Sequence, residues 1–336
     1  MKKLSIFQKP IILILAILFF CWELNAQVAL PTFQGALFSD PGLYSFSSHT
    51  FTTCGQTGPE GPTLSECRST YSPSWTDDTD FFNVTDGIQY WTVPISGTFR
   101  ITVAGSVSGT RSGVSSGRGV IYRGDFNLIE GEIIRILCGQ KENYRATTHP
   151  GGGGGGSYVV RTPYNTNASI LIIAGGGGGR HDDSNNQFNQ TLADATYSTT
   201  GQTAAVNGLA GGSNGSGGNH PGGSAGGCAG AGFFGNGEGR TIYASSDGAV
   251  SKSFVNGGAG GGIGGNSSTQ GGFGGGGFTW YSSGWGGGGG GYSGGGTSGS
   301  GSYPGNAGGG GSYNNGSNQT QVGTNTSDGY VTIEKL

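Results

Sequence analysis

Three serines have the spacing Gly-x-Ser-x-Gly, which in one class of hydrolases presents a serine nucleophile on a sharp turn between a strand and a helix. These serines are Ser213, Ser224 and Ser293. None of them follows an apolar run or precedes a helical pattern, and about two such matches are expected by chance in a segment so rich in glycine and serine. The spacing therefore does not predict a serine hydrolase.

The residue types also raise the question of a phosphate-binding site and of a metal-binding site. The stretch SILIIAGGGGGR (169–180) joins an apolar run to five glycines, but the chain has no G-x-x-x-x-G-K-[ST] motif, and no helical pattern follows Arg180. Aspartates cluster within 77–80 and at 182–183, without the spacing of a calcium-binding loop. We therefore predict no catalytic residue, no cofactor and no metal site.

Glycine is frequent and unevenly placed in this chain. It supplies 76 of the 336 residues, and 61 of those 76 lie after residue 150. Hydrophobic residues make up 33% and charged residues 10%, so the second half cannot bury an ordinary side-chain core. The net charge is −3, and a weakly acidic surface poor in lysine and arginine does not attract polyanions, which excludes nucleic acid as a partner.

The first 26 residues have the pattern of a secretory signal peptide. A basic start precedes an apolar stretch over 11–20, and a small residue, Ala26, precedes the expected cleavage point. That apolar stretch is too short to span a bilayer as a helix, and no later stretch is longer. We expect an exported protein, secreted or at the cell surface, without a membrane span. Lipidation at Cys21 stays an open question at this point.

Four cysteines remain after the predicted cleavage, and an even number in an exported chain favours two disulfides. Three pairings of Cys54, Cys67, Cys138 and Cys228 are possible. The short loop between Cys54 and Cys67, which contains prolines and glycines, favours a local bond between these two. Cys138 is then expected to pair with Cys228.

Strand patterns dominate the first half of the chain and return at its end. The segment TFRITVAG (98–105) alternates polar and apolar residues, and other segments are β-branched runs bounded by glycine. The remaining predicted strands lie at 88–97, 119–124, 132–139, 157–162, 169–174 and 328–336. No long stretch has a helical period. The patterns therefore predict an all-β fold, an antiparallel β-sandwich.

The second half is built on runs of glycine interleaved with aromatic residues. The runs lie at 151–156, 175–179, 274–277, 286–291 and 308–311. Such runs can form helices of the polyproline-II type, with three residues per turn and about 3.1 Å rise per residue. Without Cβ atoms these helices can approach closely enough for the N–H groups of one to reach the C=O groups of the next. We expect an inserted bundle of polyglycine-II-type helices.

The two patterns divide the chain into five parts. They are a signal peptide (1–26), an N-terminal lead (27–50), the strands of the sandwich (51–174), the glycine-rich helix bundle (175–326) and a closing strand (327–336).

Large aromatic residues in the glycine-rich half allow two interpretations. They could form an exposed patch that binds a protein or a glycan, because tryptophan and tyrosine give large, rigid contacts. They could equally pack along the glycine helices and seal the bundle. The candidate patch consists of Trp280, Tyr281, Trp285 and Tyr292.

Several segments resemble a known extracellular module. They are FTTCGQTGPEGPTLSECRSTY (51–71), QYWTVPISGTFRITVAG (89–105), RGVIYRGDFNLIEGEIIRILCGQK (118–141) and SDGYVTIEKL (327–336), with the glycine runs between them. Together they are similar to the glycine-rich extracellular module of the anaplastic lymphoma kinase and leukocyte tyrosine kinase receptors, and to related bacterial exported proteins. The resemblance implies a TNF-like β-sandwich carrying a bundle of glycine helices, and in the receptors this module binds cytokine-type protein ligands.

The kinase activity of those receptors does not transfer to this chain. The Gly-rich loop with V-A-I-K, the H-R-D motif and the D-F-G motif of kinases do not occur in the sequence. We therefore expect a non-catalytic, exported binding or adhesion module that presents recognition loops on a rigid glycine-rich scaffold. Its partner would be a protein ligand or a surface glycan. The alternatives are a soluble or truncated ligand-binding ectodomain of a receptor tyrosine kinase-like protein and a structural matrix or coat protein.

Overall fold

Antiparallel strands form two large sheets in the protein, and glycine segments pack beside one of them. The computed structural model describes residues 42–109, 116–144, 151–180, 188–205, 208–220, 227–239, 249–263, 269–279, 285–297 and 305–336. The prediction of an all-β fold with antiparallel pairing is confirmed in this part of the chain.

The first sheet has five strands in the order β1-β13-β4-β5-β12. These are β1 (Ser48–Phe51), β13 (Tyr330–Lys335), β4 (Gly97–Ala104), β5 (Gly119–Leu128) and β12 (Ser317–Asn325). The alternation expected for β4 is present, because Phe99, Ile101 and Val103 are fully buried while the residues between them are partly exposed. The C-terminal strand β13 lies between β1 and β4, which confirms its predicted pairing within a sheet.

The second sheet has six strands in the order β11-β9-β8-β6-β3-β2. These are β11 (Tyr313–Asn314), β9 (Ile170–Ala174), β8 (Ser157–Arg161), β6 (Ile133–Leu137), β3 (Ile88–Thr92) and β2 (Phe82–Thr85). All five residues of β9 are buried, so this strand is covered on both faces of the sheet. That double burial explains its uninterrupted apolar sequence.

The remaining regular elements are short. Strands β7 (Asn143–Tyr144) and β10 (Thr269–Gln270) pair with each other, and the helices are α1 (Leu64–Thr70) and α2 (Gln190–Ala193). Helix α1 begins at a capping box, in which Thr63 and Glu66 exchange side-chain and backbone hydrogen bonds.

Two hydrophobic cores lie on opposite faces of the second sheet. The first core fills the space between the two sheets and contains Trp91 and Ile136 from the second sheet and Phe99 from the first. Leu137 and Tyr158 point the other way and belong to a second core. That core is completed by aromatic residues of the glycine-rich half, which are Phe233, Phe254, Phe273 and Tyr292.

The glycine segments are joined to one another by backbone hydrogen bonds that repeat every three residues. We call the described parts of 151–156, 175–179, 227–232, 271–277, 286–296 and 305–312 the glycine-rich layer. In its segment 287–292, N–H groups three residues apart donate to the same neighbouring segment, with N···O distances of 2.8 to 3.2 Å. The acceptors are Gly151 and Gly154 for Gly287 and Gly290, Cys228 and Ala231 for Gly288 and Gly291, and Gly308 and Gly311 for Gly289 and Tyr292.

Close approach of backbones explains why these positions are glycine. A Cβ atom built on Gly153 would lie 2.0 Å from the carbonyl oxygen of Gly288, and one built on Gly288 would lie 2.2 Å from that of Gly295. Both distances are far below van der Waals contact, so any other residue type would force the segments apart.

The boundaries predicted between the two halves need correction. Strand β12 (Ser317–Asn325) lies within 175–326, the range predicted to be glycine helices, and it belongs to the first sheet. Strand β1 begins at Ser48, inside the predicted lead. Strand β12 lies at the edge of the first sheet and its side chains are mostly exposed, so it lacks the alternation by which a half-buried strand is predicted.

Candidate recognition surface

The serine motifs of the sequence do not form a reactive site in the described part of the chain. Ser293 is fully buried; its hydroxyl donates to the carbonyl oxygen of Thr199 at 2.7 Å and accepts from the N–H of Gly215 at 3.1 Å. Ser213 is exposed, and Ser224 lies outside the described residues. The hydroxyl of Ser293 therefore joins the glycine-rich layer to the neighbouring segments that contain Thr199 and Gly215.

One of the two predicted disulfides is present, and the other prediction is wrong. Cys54 and Cys67 are bonded, whereas Cys138 and Cys228 are buried free thiols. The second sheet explains the difference. Cys138 follows β6 and belongs to the first core, between the sheets, while Cys228 lies in the glycine-rich layer on the other side, with its sulfur 3.6 Å from the hydroxyl oxygen of Ser251. Burial raises the pKa of both thiols, so neither is an activated nucleophile.

The predicted aromatic patch is not an exposed patch at the two positions that the structure describes. Trp285 is 7% exposed and Tyr292 is 4% exposed. The ring of Tyr292 lies 4.8 Å from that of Tyr313, and its hydroxyl donates to the side-chain oxygen of Asn167 at 2.9 Å. Trp280 and Tyr281 lie outside the described residues. For Trp285 and Tyr292, the interpretation as packing residues is the correct one.

The described residues contain no group of three or more histidine, cysteine, aspartate or glutamate side chains placed to hold a metal ion. Besides the two free thiols, the buried Glu142 and the half-buried His49 have shifted pKa values. Burial raises the pKa of Glu142 to about 8, and its carboxylate accepts a hydrogen bond from the N–H of Gly152. Burial among aromatic rings lowers the pKa of His49 to about 4.

A different group of side chains has the character of a recognition site. The guanidinium of Arg135 lies between two aromatic rings: its central carbon is 3.9 Å from the ring centroid of Tyr164 and 5.1 Å from that of Tyr90. All three residues are partly exposed, and next to them Ile133 is 44% exposed. We call Tyr90, Ile133, Arg135 and Tyr164 the arginine surface.

The register of the second sheet brings the arginine surface together. Tyr90 on β3 is paired with Arg135 on β6, so the two side chains leave the same face of the sheet side by side. Because Leu137 is two residues beyond Arg135 and belongs to the second core, this is also the face that the glycine-rich layer covers. The arginine surface is thus the border of that face, where the second core meets solvent.

Tyr164 reaches the arginine surface from the loop after β8. Its backbone has φ of +70°, a conformation that residues other than glycine rarely adopt. Its hydroxyl donates to the carbonyl oxygen of Ile133 at 3.0 Å, which fixes the ring over Arg135. An unfavourable backbone conformation held by a specific contact is typical of functional sites.

Arg135 differs from three other arginines of the described chain, which are paired with carboxylates. Arg100 pairs with Asp125 at 2.9 Å, Arg118 with Asp194 at 2.6 Å and Arg161 with Glu132 at 2.8 Å. Arg135 has no such pair among the described residues, and its buried Nε has no hydrogen-bond partner there. Its terminal nitrogens, unlike Nε, are not both buried and unpaired, and no bond from them to a described residue is present, so they belong to the exposed part of this half-buried residue.

Sequence reasoning did not find the arginine surface. The alternation of EIIRILCG (132–139) contained a usable signal, since an arginine in an otherwise apolar strand is expected to lie where a face of the sheet reaches solvent. The two tyrosines could not be assigned to it, because their placement depends on strand register and on a loop conformation.

Comparison with known proteins gives a partial similarity. No family model matches the chain. Among curated proteins, the leukocyte tyrosine kinase receptor of Mus musculus is 33% identical over 94 residues, which is 27% of this chain and 11% of the receptor. The chain thus matches only about a tenth of that receptor's length. In the part that the structure describes, no helix is both long and apolar enough to cross a membrane. The chain is therefore similar in part to a receptor tyrosine kinase, over a small share of that receptor.

Proposed function

We propose that this protein is a non-catalytic, exported binding module, and that the arginine surface is where its partner docks. The observation that carries the proposal is Arg135, a partly exposed arginine that contacts the rings of Tyr90 and Tyr164 and whose Nε has no acceptor among the described residues. Tyrosine and arginine are enriched among the residues that dominate binding energy in protein interfaces. Export is supported by the disulfide between Cys54 and Cys67, because disulfides persist in oxidising compartments.

The same proposal treats the glycine-rich layer as a scaffold. Its segments are polyglycine-II-type helices, and the two sheets form a TNF-like sandwich. The three-residue repeat of the hydrogen bonds supports the helix type, because a helix with three residues per turn returns to the same neighbour at that interval. The hydroxyl of Tyr158, which donates to the carbonyl oxygen of Gly291 at 2.9 Å, connects the second sheet to this scaffold.

A non-catalytic role is supported by what the reactive side chains do in the fold. Ser293 is buried and hydrogen-bonds the backbone of Thr199 and Gly215, and Cys138 and Cys228 are buried thiols with raised pKa values. All three groups are buried, so a substrate could reach them only if the protein unfolded locally.

A second candidate is a ligand-binding ectodomain of the receptor type, soluble or part of a longer chain. The partial similarity to the leukocyte tyrosine kinase receptor favours it. Its partner would be a protein ligand only, whereas a binding or adhesion module takes a protein ligand or a surface glycan.

Binding to arrays of extracellular proteins and of glycans tests the proposal. The exported protein, the Arg135→Ala variant and an Arg123→Ala control are applied in parallel. Arg123 is a partly exposed arginine on the first sheet, so it controls for general loss of positive charge. We expect Arg135→Ala to weaken binding about tenfold or more, as is typical of a central interface residue, and Arg123→Ala to bind like the wild type. The proposal would be contradicted if both variants lost affinity equally, or if neither substitution changed the affinity. A glycan as the dominant partner would exclude the second candidate, whereas a protein partner is compatible with both.

A further inference from the structure

We infer that the arginine surface binds an aspartate or glutamate side chain of a protein partner, whose carboxylate takes both open N–H groups of Arg135. This inference rests on the proposed function and names the chemistry of its ligand.

The first step is the supply of donors. An arginine has five N–H donors and no acceptor. The Nε of Arg135 is enclosed, and no acceptor among the described residues bonds to it. The terminal amino groups are in the exposed part of the residue. A planar pair of N–H groups directed to solvent matches the two oxygens of a carboxylate.

The second step is preorganisation. The rings of Tyr164 and Tyr90 contact the guanidinium at 3.9 and 5.1 Å from their centroids. Where an aromatic ring stacks on the flat face of a guanidinium, the N–H edge of the guanidinium stays free for a ligand. Since Tyr164 is itself held by its bond to Ile133, little side-chain entropy remains to be lost when a ligand binds.

The third step concerns charge. The neighbouring acid on the same edge, Glu132, is already paired with Arg161 at 2.8 Å. Asp125 on the first sheet is likewise engaged, with Arg100. Among the described residues, Arg135 therefore keeps an uncompensated positive charge at a surface of mixed aromatic and aliphatic character.

The fourth step selects the class of ligand. A single arginine in a chain of net charge −3 does not favour a polyanion such as a nucleic acid or a heavily sulfated glycan, which requires many basic groups. A neutral sugar would leave the guanidinium without a counter-charge. One acidic side chain, flanked by apolar residues that can contact Ile133 and the tyrosine rings, satisfies both requirements.

Nuclear magnetic resonance of the mature protein provides the test. The enclosed Nε–H of Arg135 should give an observable signal, and it is followed during titration with a short blocked peptide that has glutamate between leucine and tyrosine. The matched peptide has glutamine in place of the glutamate. We expect a saturable shift with the glutamate peptide and binding at least about fivefold weaker for the glutamine peptide, in line with the greater strength of charge-assisted pairs.

Variants make the result specific. Arg135→Gln should abolish the preference for glutamate, Arg135→Lys should reduce it because a lysine lacks the planar fork, and the control Arg123→Gln should leave it unchanged. Because Arg135→Gln could disturb the fold, the indole signal of the buried Trp91 is recorded in each variant. If that signal has moved in Arg135→Gln, the fold has changed, and the glutamate preference of Arg135→Lys is used as the test instead.

Three outcomes would overturn the inference. They are equal binding of the two peptides, a glutamate preference that survives in Arg135→Gln, and tighter binding of a sulfated oligosaccharide at the same ionic strength. The array experiment separates these failures from failure of the proposed function. If array binding depends on Arg135 but the peptides show no glutamate preference, only the carboxylate ligand is refuted. If array binding does not depend on Arg135, the docking surface itself is refuted.

Discussion

Replacing Gly288 by alanine should unfold the glycine-rich layer locally, and the reason is visible in its contacts. A Cβ on Gly288 would lie 2.2 Å from the carbonyl oxygen of Gly295 and 2.4 Å from the nitrogen of Gly230. These two atoms are partners in a hydrogen bond of 2.9 Å. The added methyl group would therefore lie against the bond that joins two neighbouring segments, and both contacts are with backbone that cannot rotate away.

The loss of stability in Gly288→Ala can be worked out from the backbone hydrogen bonds that the added methyl group breaks or strains. Breaking the bond between Gly230 and Gly295 leaves a buried N–H and a buried C=O unsatisfied, at about 1–3 kcal/mol for each group. The adjacent bonds of Gly288 to Cys228 and of Gly277 to Gly288, at 3.0 and 2.8 Å, would be strained as well. Alanine restores about 0.4–1 kcal/mol by restricting the unfolded chain. We expect a net loss of about 1–6 kcal/mol before strain in the adjacent bonds is added, against a total stability of about 5–15 kcal/mol.

Thermal and urea unfolding of the variant beside a matched control measure this loss. Gly227 is the control, because it lies in the same layer, yet a Cβ there would come no closer than 3.2 Å to any atom, and that atom is the side-chain oxygen of Thr297. Gly227→Ala should change stability by no more than about 1 kcal/mol. If Gly288→Ala melts with the wild type, the segments do not need their close approach, and the explanation for the glycine runs is wrong.

Three further predictions concern ionisable groups that are buried or half-buried. Glu142 has its pKa raised to about 8 by burial; the unfolded chain gives up this proton at lower pH than the folded one, so stability falls as pH rises toward 8, by about 1.4 kcal/mol per pH unit at most. Urea unfolding at pH 6.5 and pH 8 should show this fall, and Glu142→Gln should remove it; an unchanged fall in the variant would refute the assignment. His49 has its pKa lowered to about 4, so stability should drop as pH falls from about 6.5 toward 4, and His49→Phe should remove that drop in the same assay. Cys138 and Cys228 should resist a thiol reagent in the native protein and both react after denaturation in urea without reductant. No reaction after denaturation would mean that the two are bonded after all.

The sequence predicts the strands well wherever burial is one-sided or complete. The alternation in β4 and the apolar run of β9 are direct consequences of which faces the fold covers, so composition and period were enough to locate them. Strand β12 was missed for the converse reason. Its residues are mostly exposed, and its polar sequence therefore resembles the glycine-rich half that precedes it.

The pairing of the cysteines and the location of the recognition surface depend on facts that no local pattern contains. Whether Cys138 can reach Cys228 depends on which face of the second sheet each one occupies. Whether Arg135 meets two tyrosines depends on the register of β3 against β6 and on the path of the loop that carries Tyr164. Spacing along the chain gives the length of a loop but not the face of the sheet on which a residue lies. For this reason the predicted bond between Cys138 and Cys228 was wrong, and the arginine surface was not predicted.

On one face of the second sheet, the glycine-rich layer covers the apolar region and leaves the arginine surface exposed, and both observations have one cause. Glycine segments satisfy their hydrogen bonds with each other but bring no apolar side chains of their own, so the layer must be anchored by the few aromatic residues between the runs. Phe254 stacks on Tyr158 at 5.1 Å between ring centroids, and Phe273 belongs to the same core, so anchoring is concentrated where the sheet is most apolar. Beyond that region the face carries Arg135, whose charge costs too much to bury without a partner. The layer therefore ends where the arginine surface begins, and a partner that supplies a carboxylate would continue the cover that glycine cannot provide.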